Sequence, residues 1–357
     1  MIAPEAITRH SPDPRETGTG TMELRAGWLS RYYDSGGIDP LGTQQVGITV
    51  YSQLVPGLTN VTERVGYYAF YPWFLRAWEM YRDEADRTVG RLKDDLRRAE
   101  CLLTIISFAH GEQVDGDPNE HRRAAVGSTV LGRVARDISG GGTARLSLYA
   151  TREDVEGRYF QNALGGLGQY YLPSLQALGI LRNPGQGILQ YTQDAGVRFA
   201  DALSADLPGD AFMAAIDRDE IGPGDLTELA PFCLCRTAAP CRERTLLREL
   251  VMARDDFARP DMNRRGETMA LILHLTAALD GTMPIDADTI SGCAYTGRLP
   301  DGMPWTVPAA LTDTRGGWAL YQANESASLA WQTLFWVAQR VLDETDLEAA
   351  TLESMAD

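Results

Sequence analysis

This chain predicts a mainly α fold, built as multi-helix domains with a few short strands. Three observations carry that prediction. Val89, Leu92, Leu96, Ala99, Leu102, Leu103 and Ile106 recur at helical spacing, the pattern of one buried helix face. Leu246, Leu247, Leu250 and Val251 repeat it on one face of another helix, and a last helix carries Leu329, Trp331, Leu334, Phe335 and Val337. Finally, Tyr67, Tyr68, Phe70, Tyr71, Trp73, Phe74 and Trp78 crowd one short stretch. Rings of that size must be covered by other elements, so this stretch is expected to be a structural hub.

Residues 1–21 show no periodicity and read as a flexible tail. Trp28, Leu29, Tyr32 and Tyr33 suit a short helix ending at Gly36-Gly37. The segment 47–54 fits a short strand or the start of a helix. Pro56-Gly57 is a turn, and Asn60 with Glu63 three residues on has the form of a capping box. The aromatic helix therefore starts after Asn60, with a kink or restart expected near Pro72. The next helix runs from about Asp86 to Ala109 and stops at His110-Gly111. A weak helical pattern covers 122–137, and Leu146 to Ala150 suits a short strand. Residues 154–181 read as two helical pieces divided near Pro173. Gly165, Gly166 and Gly168 each lower helix propensity by about 1 kcal/mol, so another element must approach that backbone closely. Further helices are expected over 208–223, 226–235, 242–258 and 267–279. Residues 282–317 are rich in Pro and Gly and read as a long irregular loop. A last helix spans about Ala323 to Leu347.

Composition narrows the function classes. The chain has 357 residues, 33 basic and 49 acidic, for a net charge of −16. A general nucleic-acid coat is basic, so this balance argues against one while leaving room for a local basic patch. Lys93 is the only lysine, so no Walker A motif exists. Five cysteines in a chain this long do not make a disulfide framework. The N-terminus lacks a signal-peptide pattern, and the longest apolar run, near Cys101–Ala109, is too short to span a bilayer. A cytoplasmic protein without membrane contact is expected.

Leu178-Gly179-Ile180, the Gly185-Gln186-Gly187 turn, and Tyr191 followed by Gly196 resemble the end of a winged-helix module. There a helix ends in Leu-Gly-Ile, a two-stranded wing follows, and the next helix begins. The resemblance covers about 160–204 and implies a small winged-helix-like unit. The expected organisation is then a tail at 1–21, an N-terminal helical domain at 22–150, the winged-helix-like unit at 151–207 and a C-terminal helical domain at 208–357. The stretch Leu54–Trp78 is also similar to the opening of uncharacterised bacterial proteins of phage-defence operons.

No motif joins into a complete catalytic set. Cys233, Cys235 and Cys241 are the best metal candidates, with Cys293 or His274 needed to complete four ligands. Small buried cysteines are the favoured reading, and no cofactor is expected. His110, Glu112 and His121 are candidates for general acid–base work, since a histidine beside a carboxylate is suited to proton transfer. Neither His-Glu-x-x-His nor Gly-x-Ser-x-Gly occurs. His274 reads as a core residue bonded to backbone. Asp115, Asp117, Asn119 and Glu120 fail the spacing of a calcium loop and read as a solvated acidic turn. Arg122, Arg123, Arg133 and Arg136, with Arg145 nearby and Arg182 in the wing, are the candidate binding arginines, suited to phosphate.

The favoured function is a non-enzymatic adaptor or scaffold subunit of a bacterial multi-protein system, in the setting of anti-phage defence, with other proteins of that system as partners. The alternatives are a DNA-binding transcriptional regulator and a hydrolase using His110, Glu112 and His121.

Overall fold

The computed structural model describes residues 43–344, except 154–158, 184–187, 206, 255–256, 258–262, 282 and 284. The expected tail and the short helix before Gly36 lie outside the described residues. What is described is mainly helical, with four two-residue strands. Residues Gln44–Asn324 form one compact unit, and Glu325 onward belongs to a second.

Residues 47–54 are helical, inside α1 (Thr43–Leu54). The aromatic helix α2 spans Gly66–Tyr81. Its start corrects the expected cap: Val65 holds the cap position and no side chain bonds there. Asn60 instead lies exposed in the preceding turn, and Glu63 pairs with Arg123 at 3.2 Å. The helix also runs unbroken through Pro72. One lost backbone bond is outweighed because every residue from Gly66 to Leu75 is buried. Tyr67, Tyr71, Trp73 and Trp78 are each at most 2% exposed, as a hub requires. Tyr171 packs against Tyr67, Tyr68 and Tyr71, while Phe212 and Phe232 pack against Trp73.

The helix α3 (Val89–Gln113) starts at Thr88, whose hydroxyl accepts the Arg91 N–H. It passes straight through Gly111 and ends at Gln113, so Gly111 is not the expected stop. A short α4 (Asn119–Arg122) and then α5 (Ser128–Ser139) follow, packed on α3. Asp117 accepts the Asn119 N–H at 2.9 Å in the turn that leads into α4. Leu146 to Ala150 is not a strand. Ala144–Arg145 forms β1, and Leu146–Tyr149 is a helical turn, α6.

The glycine-rich segment is a helix whose π-turn, Leu167–Tyr171, runs directly into α7 (Leu172–Ala177). The wider turn accommodates Pro173, so the expected division is a change of winding and not a break. β2 (Leu181–Arg182) and β3 (Gln190–Tyr191) pair antiparallel, and α8 (Ala195–Ser204) follows. The order helix, hairpin, helix is thus present over 172–204. Next come α9 (Gly209–Arg218), β4 (Glu220–Ile221) paired with β1, and α10 (Pro223–Glu228). Two 3₁₀ turns, Ala230–Phe232 and Leu234–Ala238, occupy the remainder of the helix expected over 226–235.

One continuous apolar core takes side chains from Tyr67 through Phe257. The boundaries expected at 150 and 207 both fall within it. The chain continues through α11 (Arg242–Val251) and α12 (Asn263–Leu279). The expected loop at 282–317 is corrected. It contains α13 (Ala287–Thr296), capped by the Asp286 side chain and closed by Gly297 at φ 67°. Leu271, Leu275 and Leu279 of α12 bury against Cys293 and Trp305 there. The last helix, α14 (Thr312–Glu344), also starts earlier than expected. Gly317 lies inside it because a Cβ there would stand 2.7 Å from Leu54 of α1.

Candidate functional site

Among the polar clusters built on α3, two differ in chemistry, one fully buried and the other half-buried. The first centres on Glu100, which is fully buried. Its carboxylate accepts the Gly166 and Leu167 N–H groups, each at 2.8 Å, and the Tyr71 hydroxyl at 2.9 Å. It therefore caps the glycine-rich helix that leads into α7. Gly165 stands at φ 61°, and a Cβ there would lie 2.2 Å from a Glu100 oxygen. The close approach of Gly165 is thus to α3, whereas a Cβ at Gly166 would meet Val126 and one at Gly168 would meet Asn162 and Leu164, and Tyr171 further along meets the aromatic hub. Burial is the largest influence on Glu100 and raises its carboxyl to about 7, against the lowering effect of its three donors.

The second cluster gathers His110, His121, Cys233 and Cys235. His110 lies in the last turn of α3, and His121 lies on α4. Gly111 brings them together: a Cβ there would meet the Cβ and ring of His121 at 3.0–3.3 Å. The two cysteines come from the segment between α10 and α11. Cys233 is extended, at φ −47° and ψ 138°, and the 3₁₀ turn from Leu234 folds Cys235 back beside it. Leu234 between them is buried, and its N–H is held by the Ser107 hydroxyl of α3 at 3.2 Å. Arg236 fixes the same turn. It donates to the Phe232 carbonyl at 3.1 Å and forks onto Glu243 at 2.7 and 2.8 Å.

The four donor atoms face one another. His110 Nδ1 and His121 Nδ1 are 3.2 Å apart, His121 Nδ1 and Cys233 Sγ 3.2 Å, and His110 Nδ1 and Cys235 Sγ 3.6 Å. All four lie within 4.8 Å of one another. A hydrogen bond between the thiols dominates their titration. It lowers Cys235 to about 5, with the nearby histidines adding to the effect, and it raises Cys233. An imidazole N–H points one way, yet His121 Nδ1 faces both a nitrogen and a sulfur at 3.2 Å. A tetrahedral ion with about 2.05 Å bonds to nitrogen and about 2.3 Å to sulfur needs edges of roughly 3.3 Å for N···N and 3.5 Å for N···S. The three edges at 3.2, 3.2 and 3.6 Å lie within about 0.3 Å of these lengths, and the other three are bounded by 4.8 Å.

The remaining sequence candidates are placed elsewhere. Cys241 caps α11 by accepting the Arg244 N–H at 3.3 Å and does not join the cluster. Cys293 lies in the α12–α13 core, and His274 accepts the Trp305 indole N–H at 3.3 Å, where a backbone partner was expected. Glu112 is exposed on α3. The arginines are not gathered into one set by their contacts. Arg122 stacks on Phe108, Arg123 pairs with Glu63, Arg136 donates to Gly132 within α5, Arg182 bonds Gln190 across the hairpin, and Arg133 is exposed on α5. Arg182 also borders an open groove of about 500 Å³ with Trp78, Glu79, Arg87 and Tyr191.

Sequence reasoning sought the remaining ligand of the cysteines in Cys293 or His274, kept His110 and His121 for acid–base work, and so missed the union of His110 and His121 with Cys233 and Cys235. It also passed over Glu100, although a lone carboxylate amid Leu96, Ala99, Leu102 and Leu103 signals a buried acid. Comparison with family models, curated proteins and solved structures gives no match.

Proposed function

We propose that the protein is a non-enzymatic adaptor or scaffold subunit of a multi-protein assembly. One observation carries this reading. Residues 329–337 of α14, about two and a half turns of helix, are all exposed. Among them Leu329, Trp331, Leu334, Phe335, Trp336 and Val337 are 46–66% exposed. Apolar side chains project from every face of that segment. A helix apolar all round is stable in water only when another surface covers it, and large exposed apolar patches mark interaction sites. No described helix is long and apolar enough to cross a membrane, so a protein surface is the favoured cover. The helix–hairpin–helix order at 172–204 supports a winged-helix-like unit as a second contact surface. The resemblance of Leu54–Trp78 to proteins of phage-defence operons suggests the setting.

The same observation favours this reading over the DNA-binding regulator and the hydrolase, neither of which uses the α14 face. Native co-purification from the source cell tests it. A stoichiometric protein partner is expected, and the double variant Trp331→Glu, Phe335→Glu should release it while leaving the thermal unfolding of the rest unchanged. A chain recovered only as a monomer, or a partner retained by that variant, would end the adaptor reading.

A further inference from the structure

We propose that His110, His121, Cys233 and Cys235 bind one zinc(II) ion, through two imidazole Nδ1 atoms and two thiolates, in a closed structural centre. This goes beyond the adaptor reading and stands or falls without it. The donor set selects the metal. Two sulfurs and two nitrogens suit zinc, whereas calcium and magnesium require oxygen ligands and more of them. The ligand count selects the role. Four protein ligands fill a tetrahedral shell and leave no position for water or substrate, as in structural zinc sites.

The supporting shell is also in place. The Cys235 N–H points to Cys233 Sγ at 3.5 Å, Arg236 anchors the turn to Glu243, and Ser107 holds the Leu234 N–H. These contacts hold the sulfurs at the ends of α3 and α4 before any ion enters. Binding balances simply: Zn²⁺ replaces the protons on the two sulfurs and forms two Zn–S and two Zn–N bonds. Up to two protons pass to solvent, and nothing is oxidised or reduced. The ion's two charges are then offset by the two thiolates, one buried and one half-buried. The result is a staple from the α3–α4 corner to the 3₁₀ turn, across 112 residues of sequence between His121 and Cys233.

The test uses the full chain without a histidine tag, expressed with added zinc and purified under reducing conditions. Elemental analysis should find one zinc per chain. Reconstituting the reduced metal-free protein with cobalt(II) should give the thiolate-to-cobalt charge-transfer band and the intense visible bands of a tetrahedral site. Cys233→Ser with Cys235→Ser should lower the zinc content at least tenfold, and His121→Ala should weaken retention against a chelator at least tenfold. Cys241→Ser should leave both signals unchanged. Wild-type protein with far less than one zinc and no cobalt–thiolate band overturns the proposal, whether or not any variant folds. So does zinc that persists undiminished in the double cysteine variant, or a Cys233–Cys235 disulfide in the protein isolated under reducing conditions.

Discussion

Glu100 and His110 lie on one helix, ten residues or about 15 Å apart, yet their surroundings solve opposite problems. Around Glu100 a single acceptor group meets three donors, from two backbone amides and a tyrosine. The protein itself completes that cluster. Around His110 two imidazole nitrogens and two sulfurs, all able to ligate a metal, lie within 4.8 Å of one another. That cluster needs a cation. The lesson is that buried polarity must be judged by the balance of donors and acceptors, not by the number of charged residues.

The largest expected effect separates the two clusters by chelation. Removing metal with 1,10-phenanthroline at pH 7 should lower the melting temperature by roughly 10 °C, since a structural ion contributes several kcal/mol to folding. Glu100→Gln should leave the metal content at one per chain. An unchanged melting temperature after complete zinc removal would make the staple dispensable.

Next, Glu100→Ala strands the Gly166 and Leu167 N–H groups and the Tyr71 hydroxyl, at a cost of about 3–5 kcal/mol in urea unfolding. The pH dependence is of similar size. Glu100 is raised from 4.5 to about 7, so between those values the folded chain holds a proton that the unfolded chain has lost. Its contribution is therefore fully present below pH 4.5 and is lost as pH rises through 7, a decline of about 3 kcal/mol. Glu100→Gln should flatten that slope in chemical denaturation measured from pH 5 to 8. The zinc cluster slopes the other way, because protons compete with the ion and affinity rises with pH.

Smaller still is Gly111→Ala. A gain of up to about 1 kcal/mol in helix propensity opposes a methyl placed 3.0 Å from His121. Stability should change little, while zinc retention weakens severalfold in chelator competition. Asn60→Ala marks the bottom of the scale. No cap bond is made there, so unfolding should shift by less than about 0.5 kcal/mol, where a true N-cap would cost about 1 kcal/mol.

What the sequence made legible follows from where the signal is local. The helical spacing from Val89 to Ile106 announced α3, and the aromatic density announced the buried hub. Leu178-Gly179-Ile180 announced the end of α7, where Gly179 adopts φ 69°. The misreadings came where one residue type serves two ends. Gly111 read as a stop signal, but its missing Cβ admits the His121 ring. Asn60 and Glu63 have the capping spacing without the cap. The Pro and Gly content of 282–317 masked α13, although Asp286 and Gly297 bracket it as a start and a stop. The zinc ligands were visible as residues, but not as a set. Four histidines and five cysteines allow many combinations, and only the fold selects one.

The separation of the ligands also has a consequence in time. Ribosomes add about 5–20 residues per second, so between roughly 6 and 20 s pass after His121 is made before Cys233 follows it. During that interval the α3–α4 corner carries two imidazoles and no thiolate. A nascent chain halted before Cys233 is expected to lose zinc to a mild chelator that the finished chain resists. Metal capture is then a late event in this protein's birth, and it registers that the middle of the chain has reached its place.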